Sequence, residues 1–455
     1  QVNLMTTATA AMASSIGGAL TVGGTTTITG ADDVADGAGS SSSLTVTGNS
    51  TFTGLVTLTG DDQLGHANLN LNGATVTATA GIILDDAGTG LATVNFTGTA
   101  AQTVNGTINA TSTTDEGTVN VLASANVVTF ANNIGATATN ILAVNIGNAT
   151  LAGNAVFSGN VEAATITLGH ESSVASAAYS ADFNGNVVGD VVMDTGNAIT
   201  ETATATFAGN VTGDITLDDN VAAIDATATF DGTTAQTVTG AFIATADDDG
   251  ILSVTNTHAS GLTVNGSIGV TTGNKGIGAI HIASSSKLTQ KALVTTAVTF
   301  DVTGDIDDGA TTAGRGGNLT ISAGDATTTG VGTVGGAVTL ATIAGSVLLD
   351  SLTVTAGDGI VATTADNAGK DGGAVTNFVA ASTVNATTFT LSSGVGADGT
   401  TNIHAANDGG DGGALTEATI TGLITAATSI TSGAGGAGGA GGATIAGAAG
   451  GAGGA

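Results

Sequence analysis

Paired and tripled aspartates are the residues in this 455-residue chain whose type and spacing offer chemistry. They stand at Asp32 and Asp33, Asp61 and Asp62, Asp85 and Asp86, Asp218 and Asp219, Asp247 to Asp249, and Asp307 and Asp308. Hard divalent cations take several oxygen ligands from carboxylates and turn carbonyls, so such runs point to calcium as the one cofactor to consider. A fold that stacks turns would bring such oxygens together, and the candidate ligands are Asp218, Asp219, Asp247, Asp248, Asp249, Asp307 and Asp308. No known calcium loop is met: GGDGGALTE at 409–417 lacks the Asp of the repeat-in-toxin pattern, and the EF-hand spacing is missing. The plainer reading is that Asp-Asp and Asp-Gly make turns and keep the surface soluble.

Other chemistries are thinly supplied. The five histidines, His66, His170, His258, His281 and His404, are scattered without HxH, HxxxH or HExxH spacing. The serine runs Ser40–Ser43 and Ser284–Ser286 lack a nucleophile elbow, and Gly273-Asn-Lys275 is not a phosphate loop. Glycan cleavage wants two carboxylates across the scissile bond and usually aromatic platforms. This chain has one arginine (Arg315), one tyrosine (Tyr179) and no tryptophan, so the expectation is a protein that is not an enzyme. Nine Asn-x-Ser/Thr sequons occur, at Asn49, Asn95, Asn105, Asn109, Asn148, Asn210, Asn265, Asn318 and Asn385. Composition alone produces many in a chain so rich in Asn and Thr.

The charge balance is 5 basic against 36 acidic residues, a net −31. Phosphate binding needs clustered Lys and Arg, so nucleic acid is excluded as a partner and anionic membrane is repelled. No apolar run approaches the ~18 residues of a membrane span. Cysteine is absent, which excludes disulfides and zinc-thiolate sites. The chain opens at Gln1 without a signal-like segment, which fits a mature exported chain.

The elements that must position these residues announce themselves by repetition. Phe183, Phe207 and Phe230 open FNGNVVGDVVMD, FAGNVTGDITLDD and FDGTTAQTVTGAFIA. Phe157 and Phe130 open related phrases upstream, at a similar spacing. A recurrence of roughly 20–30 residues built from short strands and Gly/Asn/Asp turns is the signature of a solenoid. Gly (73 residues), Thr, Val, Asn and Asp abound, and proline, which cannot donate to a β-ladder, is absent. The fold expected is all-β, an elongated parallel β-helix (β-solenoid) with coils of about 19–27 residues. Within each coil Phe, Val, Ile and Leu point inward and Thr, Asn and Asp outward.

Four regions follow. Residues 1–40 are a cap or an assembly segment, with strands suggested at 19–22 and 25–29. Residues 41–310 carry the Phe-x-Gly-Asn phrases, and FTGTAAQTVNGTINA at 96–110 nearly repeats at 230–244. The run 170–182, HESSVASAAYSAD, reads as a protruding loop or helical turn. Lys275, Lys287 and Lys291 reverse the local charge, as a contact for an acidic partner or as a salt-bridged junction. Residues 311–432 carry double-glycine phrases opening at Gly316, Gly335, Gly372 and Gly412. Their offsets suggest coils of about 19 residues, with two coils passing between some copies. On those periods the chain would make about 19–21 coils. The tail 433–455 is Gly/Ala-rich, either linker or a thin glycine-packed continuation.

The phrases FxGNVTGDITL and DGTTAQTVTGA resemble passenger regions of bacterial autotransporters, in the style of the large rickettsial surface-layer and adhesin proteins. That resemblance, across roughly 90–320, implies a right-handed β-helix displayed outside the cell. It carries over no functional residue, and the family's C-terminal membrane barrel has no counterpart here. The leading expectation is therefore an extracellular structural subunit, self-assembling head to tail into a filament, sheath or surface layer. The alternative is a cell-surface adhesin or fibre-like module that binds cells or glycans through segments such as 170–182, 273–291 and 362–373. Its scarcity of Trp, Tyr and Arg counts against it.

Overall fold

The computed structural model describes residues 2–5, 11–30, 41–61, 65–86, 90–112, 115–123, 126–170, 178–195, 201–218, 226–246, 249–269, 276–291, 298–302, 305–308, 315–323, 335–360, 369–399, 408–437 and 452. These residues form parallel strands joined by turns, with no helix, as a β-solenoid. None of them forms a helix long and apolar enough to cross a membrane. The chain divides into two compact units, residues 1–229 and 230–455.

In the first unit the coils are regular. Val2, Thr26, Val56, Ile82, Ile108, Ile134, Val161, Val187 and Val211 occupy one position on successive coils. That is about nine turns of about 26 residues. The strands expected near residues 19–29 are present as Leu20–Val22 and Thr26–Thr29, in register with Ser50–Phe52 and Val56–Thr59. Alternating sequences place every second side chain inside, as in Ala67–Leu71 and Ala92–Phe96. One core column runs Val46, Leu71, Phe96, Val121, Ile146, Leu168, Met193, Leu217, all buried.

The phrase Phe-x-Gly-Asn has a physical meaning at each letter. Phe130, Phe157, Phe183 and Phe207 are in register and stack nearly parallel, with centroids 5.1, 5.0 and 5.2 Å apart. The glycine lets one coil's turn settle onto the next: a Cβ at Gly185 would lie 2.5 Å from the Gly159 carbonyl oxygen. The asparagine ties that turn. Oδ1 of Asn133, Asn160 and Asn186 accepts the backbone N–H of Asn160, Asn186 and Asn210, at 2.9, 3.0 and 2.9 Å. The segment 170–182 differs from expectation in part. A strand begins at Ala178, and Tyr179 is buried inside it, while 171–177 lie outside the described residues.

The second unit begins with similar coils and then widens. Phe242, Ile268 and Phe300 bridge successive coils, and Lys287–Lys291 pairs with Gly316–Ser322. Val338 pairs with Val375, which pairs with Leu415. The double-glycine phrases opening at Gly335, Gly372 and Gly412 are therefore one coil apart, and each offset between them is a single wide coil rather than a pair of short ones. The phrase at Gly316 belongs to another column, opposite Leu349–Thr355. The chain accordingly makes fewer coils than the short period implies.

The extra residues form a second, glycine-packed layer. Gly394 and Ala397 donate to the carbonyls of Gly373 and Lys370, so these passes run antiparallel. Gly369 and Gly372 donate to Asp408 and Asp411, and Gly396 and Gly399 to Ala434 and Ala437, between parallel passes. Bonds recur at every third position, the period of an extended polyproline II chain. Glycine is needed because backbone meets backbone: a Cβ on Gly394 would lie 1.9 Å from the Gly357 carbonyl oxygen. The described tail residues join this layer. Gly436 donates to Gly410, and Ala452 donates to the Asp411 carboxylate.

Two consequences are measurable by urea unfolding. Phe183→Ala removes a ring from the stacked column and is expected to cost about 3–5 kcal/mol, against about 1 kcal/mol for Asn186→Ala. Gly394→Ala, an exchange that stabilises ordinary extended chain, is expected here to destabilise by about 1–3 kcal/mol through overpacking. A neutral result at Gly394 would contradict the close packing of the layer.

Candidate functional site

While Glu162, Asp182 and Asp301 lie within strands, many of the described acidic residues sit at or beside turns, where backbone N–H groups lack a ladder partner. Their carboxylates take those donors, many of them across coils. Asp190 accepts from the Asp214 N–H at 2.9 Å, Asp305 from Ser346 at 2.6 Å, Asp358 from Val395 at 2.7 Å and Asp398 from Ala437 at 2.7 Å. Asp371 accepts from Asp411 at 2.7 Å, and Asp411 from Ala452 at 2.7 Å. An ionised carboxylate accepting a backbone N–H makes a charge-assisted bond, stronger than a neutral one.

The predicted calcium ligands are distributed rather than convergent. Asp219, Asp247 and Asp248 lie outside the described residues. Asp249 is buried and accepts from the Thr245 hydroxyl at 3.0 Å and from the Ala246 N–H, closing its own turn. Asp218 stands in register above Asp194, one coil away. Asp307 lies 4.0 Å from the His281 imidazole, with Asp308 the next residue along. Among the described residues no three or more His, Asp or Glu side chains gather as a metal cage requires.

Each unit contains a version of one carboxylate corner. In the first, Glu116 accepts from Thr111 Oγ1 at 2.7 Å and Ser112 Oγ at 2.5 Å, and Gly117 follows at φ +75°. In the second, Asp249 receives the Thr245 hydroxyl and Gly250 follows at φ +69°. The near-repeat at 96–110 and 230–244 runs directly into these turns, the second turn being the shorter. Beside the first corner, Asp86 accepts from the Ala92 N–H at 2.5 Å and the Gly117 N–H at 2.8 Å. Burial pushes the Asp86 carboxyl above its ordinary 3.8; the two N–H bonds oppose the shift, and Glu116 and Asp85 add to it.

Three further ionisable groups have structural partners. Arg315 spans three coils, donating to the Leu349 carbonyl at 2.8 Å and to Asn385 Oδ1 at 2.9 Å. His66 Nδ1 accepts from Leu91 one coil on, at 3.1 Å, and His258 Nδ1 from Ser260 within its own turn. Lys287 and Lys291 bound one strand, while Lys275 and His404 lie outside the described residues.

Sequence reasoning missed a carboxamide ladder. Nδ2 of Asn95, Asn120 and Asn145 donates to Oδ1 of Asn70, Asn95 and Asn120, at 2.8, 2.8 and 2.9 Å, and Asn70 donates on to Thr45 at 3.1 Å. The signal was present, since these asparagines recur every 25 residues. At its Asn145 end the ladder opens on a hollow of about 320 Å³ lined by Asn120, Leu122, Asn145, Asn148, Thr167 and His170, with Gly147 and Gly169. Tyr179 lies beneath. A Cβ at Gly147 would fall 2.3 Å from its ring, and its hydroxyl donates to the Asn148 carbonyl at 3.4 Å. Set against known protein families, characterised proteins and solved structures, the chain matches none.

Asp86 supplies a pH test. A carboxyl whose folded pKa is raised binds its proton more tightly in the fold, so its stabilising contribution is complete below 3.8 and is lost as pH rises through the shifted value. The stability of the parent minus that of Asp86→Asn, from thermal melts at stepped pH, is expected to fall across the window just above 3.8. A difference that rises there would mean that the two N–H bonds, not burial, govern this carboxyl.

Proposed function

We propose that this chain is an extracellular structural protein, a β-solenoid subunit whose copies associate head to tail into a filament, sheath or surface layer. The observation that supports it most is the use to which the polar side chains are put. The groups that a catalytic reading would need (Asp190, Asp249, Asp305, Asp358, Glu116, Arg315) tie coil to coil or close a turn. The likeness of the Phe-x-Gly-Asn phrases to autotransporter passengers favours a place at the cell surface.

Self-association has a seat in coil edges that carry apolar side chains in the open. Leu423 is 70% exposed and Ile430 is 52% exposed beside the strand register of Val384–Ser392, and Met12 is 37% exposed over Ser42. A neighbouring copy that continues the parallel ladder would cover such side chains. Calcium would act at acidic corners such as stacked Asp194 and Asp218, where a divalent cation offsets the repulsion of like charges.

Negative-stain electron microscopy at increasing protein concentration, with calcium and then with chelator, tests the reading. Extended assemblies that grow with concentration are the expected result. Their dissolution in chelator would put calcium at the contacts, and indifference to chelator would remove it from the account. Single particles at every concentration in both buffers would overturn self-assembly by this chain.

A further inference from the structure

We propose that the hollow above Tyr179 binds a neutral sugar ring. The proposal is independent of self-assembly and concerns a lateral face of the first unit. Among the described residues, three polar groups around the hollow keep hydrogen-bonding capacity after the fold's own bonds are made. The ladder uses Nδ2 of Asn145, and none of the described residues donates to its Oδ1. Asn148 uses Oδ1 to accept from the N–H of Thr150 and Leu151, both at 2.9 Å, which leaves its Nδ2 as a donor. Thr167, in register with Asn145 on the next coil, contributes a hydroxyl that can both donate and accept. Because Asn70, Asn95, Asn120 and Asn145 all donate in one direction, the ladder polarises its terminal oxygen into a stronger acceptor.

The chemistry of the lining selects the ligand class. Neighbouring ring hydroxyls each offer one donor and two acceptor sites, which suits an acceptor (Asn145), a donor (Asn148) and a hydroxyl (Thr167) side by side. His170, exposed at the rim, adds an imidazole, and Leu122 supplies an apolar wall for C–H groups. Among the described residues, no acidic or basic side chain other than His170 lines the hollow, and residues 117–161 contain no Asp, Glu, Lys or Arg. A charged ligand would find no counter-charge there, and an anion would meet a chain of net charge −31. The volume of about 320 Å³ is at the small end of ligand sites, room for one ring rather than a chain.

The chain carries its own reporter. Tyr179 is its only tyrosine, tryptophan is absent, and the ring lies 1% exposed under Gly147 and Gly169 at the floor of the hollow. Tyrosine emission of the full chain would be titrated with methyl α-glucoside, methyl α-galactoside, methyl α-mannoside and N-acetylglucosamine, with glucuronate and glucosamine as charged controls. At least one neutral sugar is expected to give a saturable change that the charged controls do not. Thr167→Val with His170→Ala should weaken it about tenfold or more, as loss of two hydrogen bonds predicts, with the thermal midpoint kept. His170→Ala alone, at an exposed position, serves if the double variant does not fold. Silence from all four neutral sugars overturns the proposal, as does an equal response to the charged controls or a response that the variants leave unchanged.

Discussion

Everything in this molecule depends on parallel, in-register stacking, in which each residue meets the residue at the same position one coil away. Unlike residues can share a column, as Leu71, Phe96 and Val121 do, but a residue that recurs with the coil period meets its own kind at about 4.8 Å. Phenylalanine does so by offset stacking, as Phe130, Phe157, Phe183 and Phe207 do. Asparagine does so because a carboxamide is donor and acceptor at once, which lets Asn70 to Asn145 hand one hydrogen bond to the next. Aspartate does so at a cost, since ionised carboxylates only accept and repel one another, and Asp194 under Asp218 is such a pair. Many of the acids therefore work at turns, where the partner is a backbone N–H.

That division explains how so acidic a chain remains compatible with a tight stack. At Asp190, Asp305, Asp358 and Asp398 the negative charge is aimed at a peptide N–H of the following coil, and each bond joins two coils as well as closing a turn. The same arrangement weakens the case for the aspartate runs as a metal site. Asp249 is inside, holding its own loop, and Asp307 faces an imidazole. Adjacent acids in sequence do not by themselves make a cage: Asp85 and Asp86 share the Glu116 corner, yet Asp86 spends its oxygens on the Ala92 and Gly117 N–H groups. Sequence proximity is thus a poor guide to carboxylate convergence in a solenoid; positions one coil apart, such as Asp194 and Asp218, are the informative pairs.

The solenoid was legible because its strongest signal, a buried aromatic followed by a glycine and an amide, is imposed coil by coil. The carboxamide ladder was equally periodic but hidden within ordinary alternation: LNLN, TVNF, TVNV and AVNI each look like a strand with one polar face. The short-coil reading of the double-glycine region failed for a specific reason. Its hydrogen bonds run from Gly336 to Gly357, Gly373, Gly394, Gly413 and Gly433, so a short, regular spacing does exist. It belongs to half a coil, because each wide coil passes through the glycine layer twice. The hollow could not be read from sequence at all. Its polar groups come from three coils and acquire meaning only when the ladder's direction is known.

The absence of proline ties the two kinds of packing together. In the stranded coils the N–H groups point along the stack to the coil before or the coil after, as those of Thr53 and Val56 do, which disfavours proline as in any central strand. The glycine layer is a place where an extended chain with a three-fold period would ordinarily welcome proline, whose ring presets that conformation. Here Gly357, Gly373, Gly394, Gly413 and Gly433 each donate their N–H to a neighbouring pass, and a Cβ on most of them would collide with backbone. A proline would remove the donor and add the bulk at once. The layer is held by peptide groups rather than by side chains, so it gains rigidity from hydrogen bonds while burying almost no apolar side-chain area. Its stability must then be borrowed from the apolar columns to which each pass is covalently joined, such as Leu352–Phe389 and Val354–Leu391 at the roots of the passes beginning at Ala356 and Ser393. Glycine-rich sequence and Phe/Val/Leu-rich sequence are in this sense one cooperative design: the second fixes the register that the first needs in order to pack without side chains.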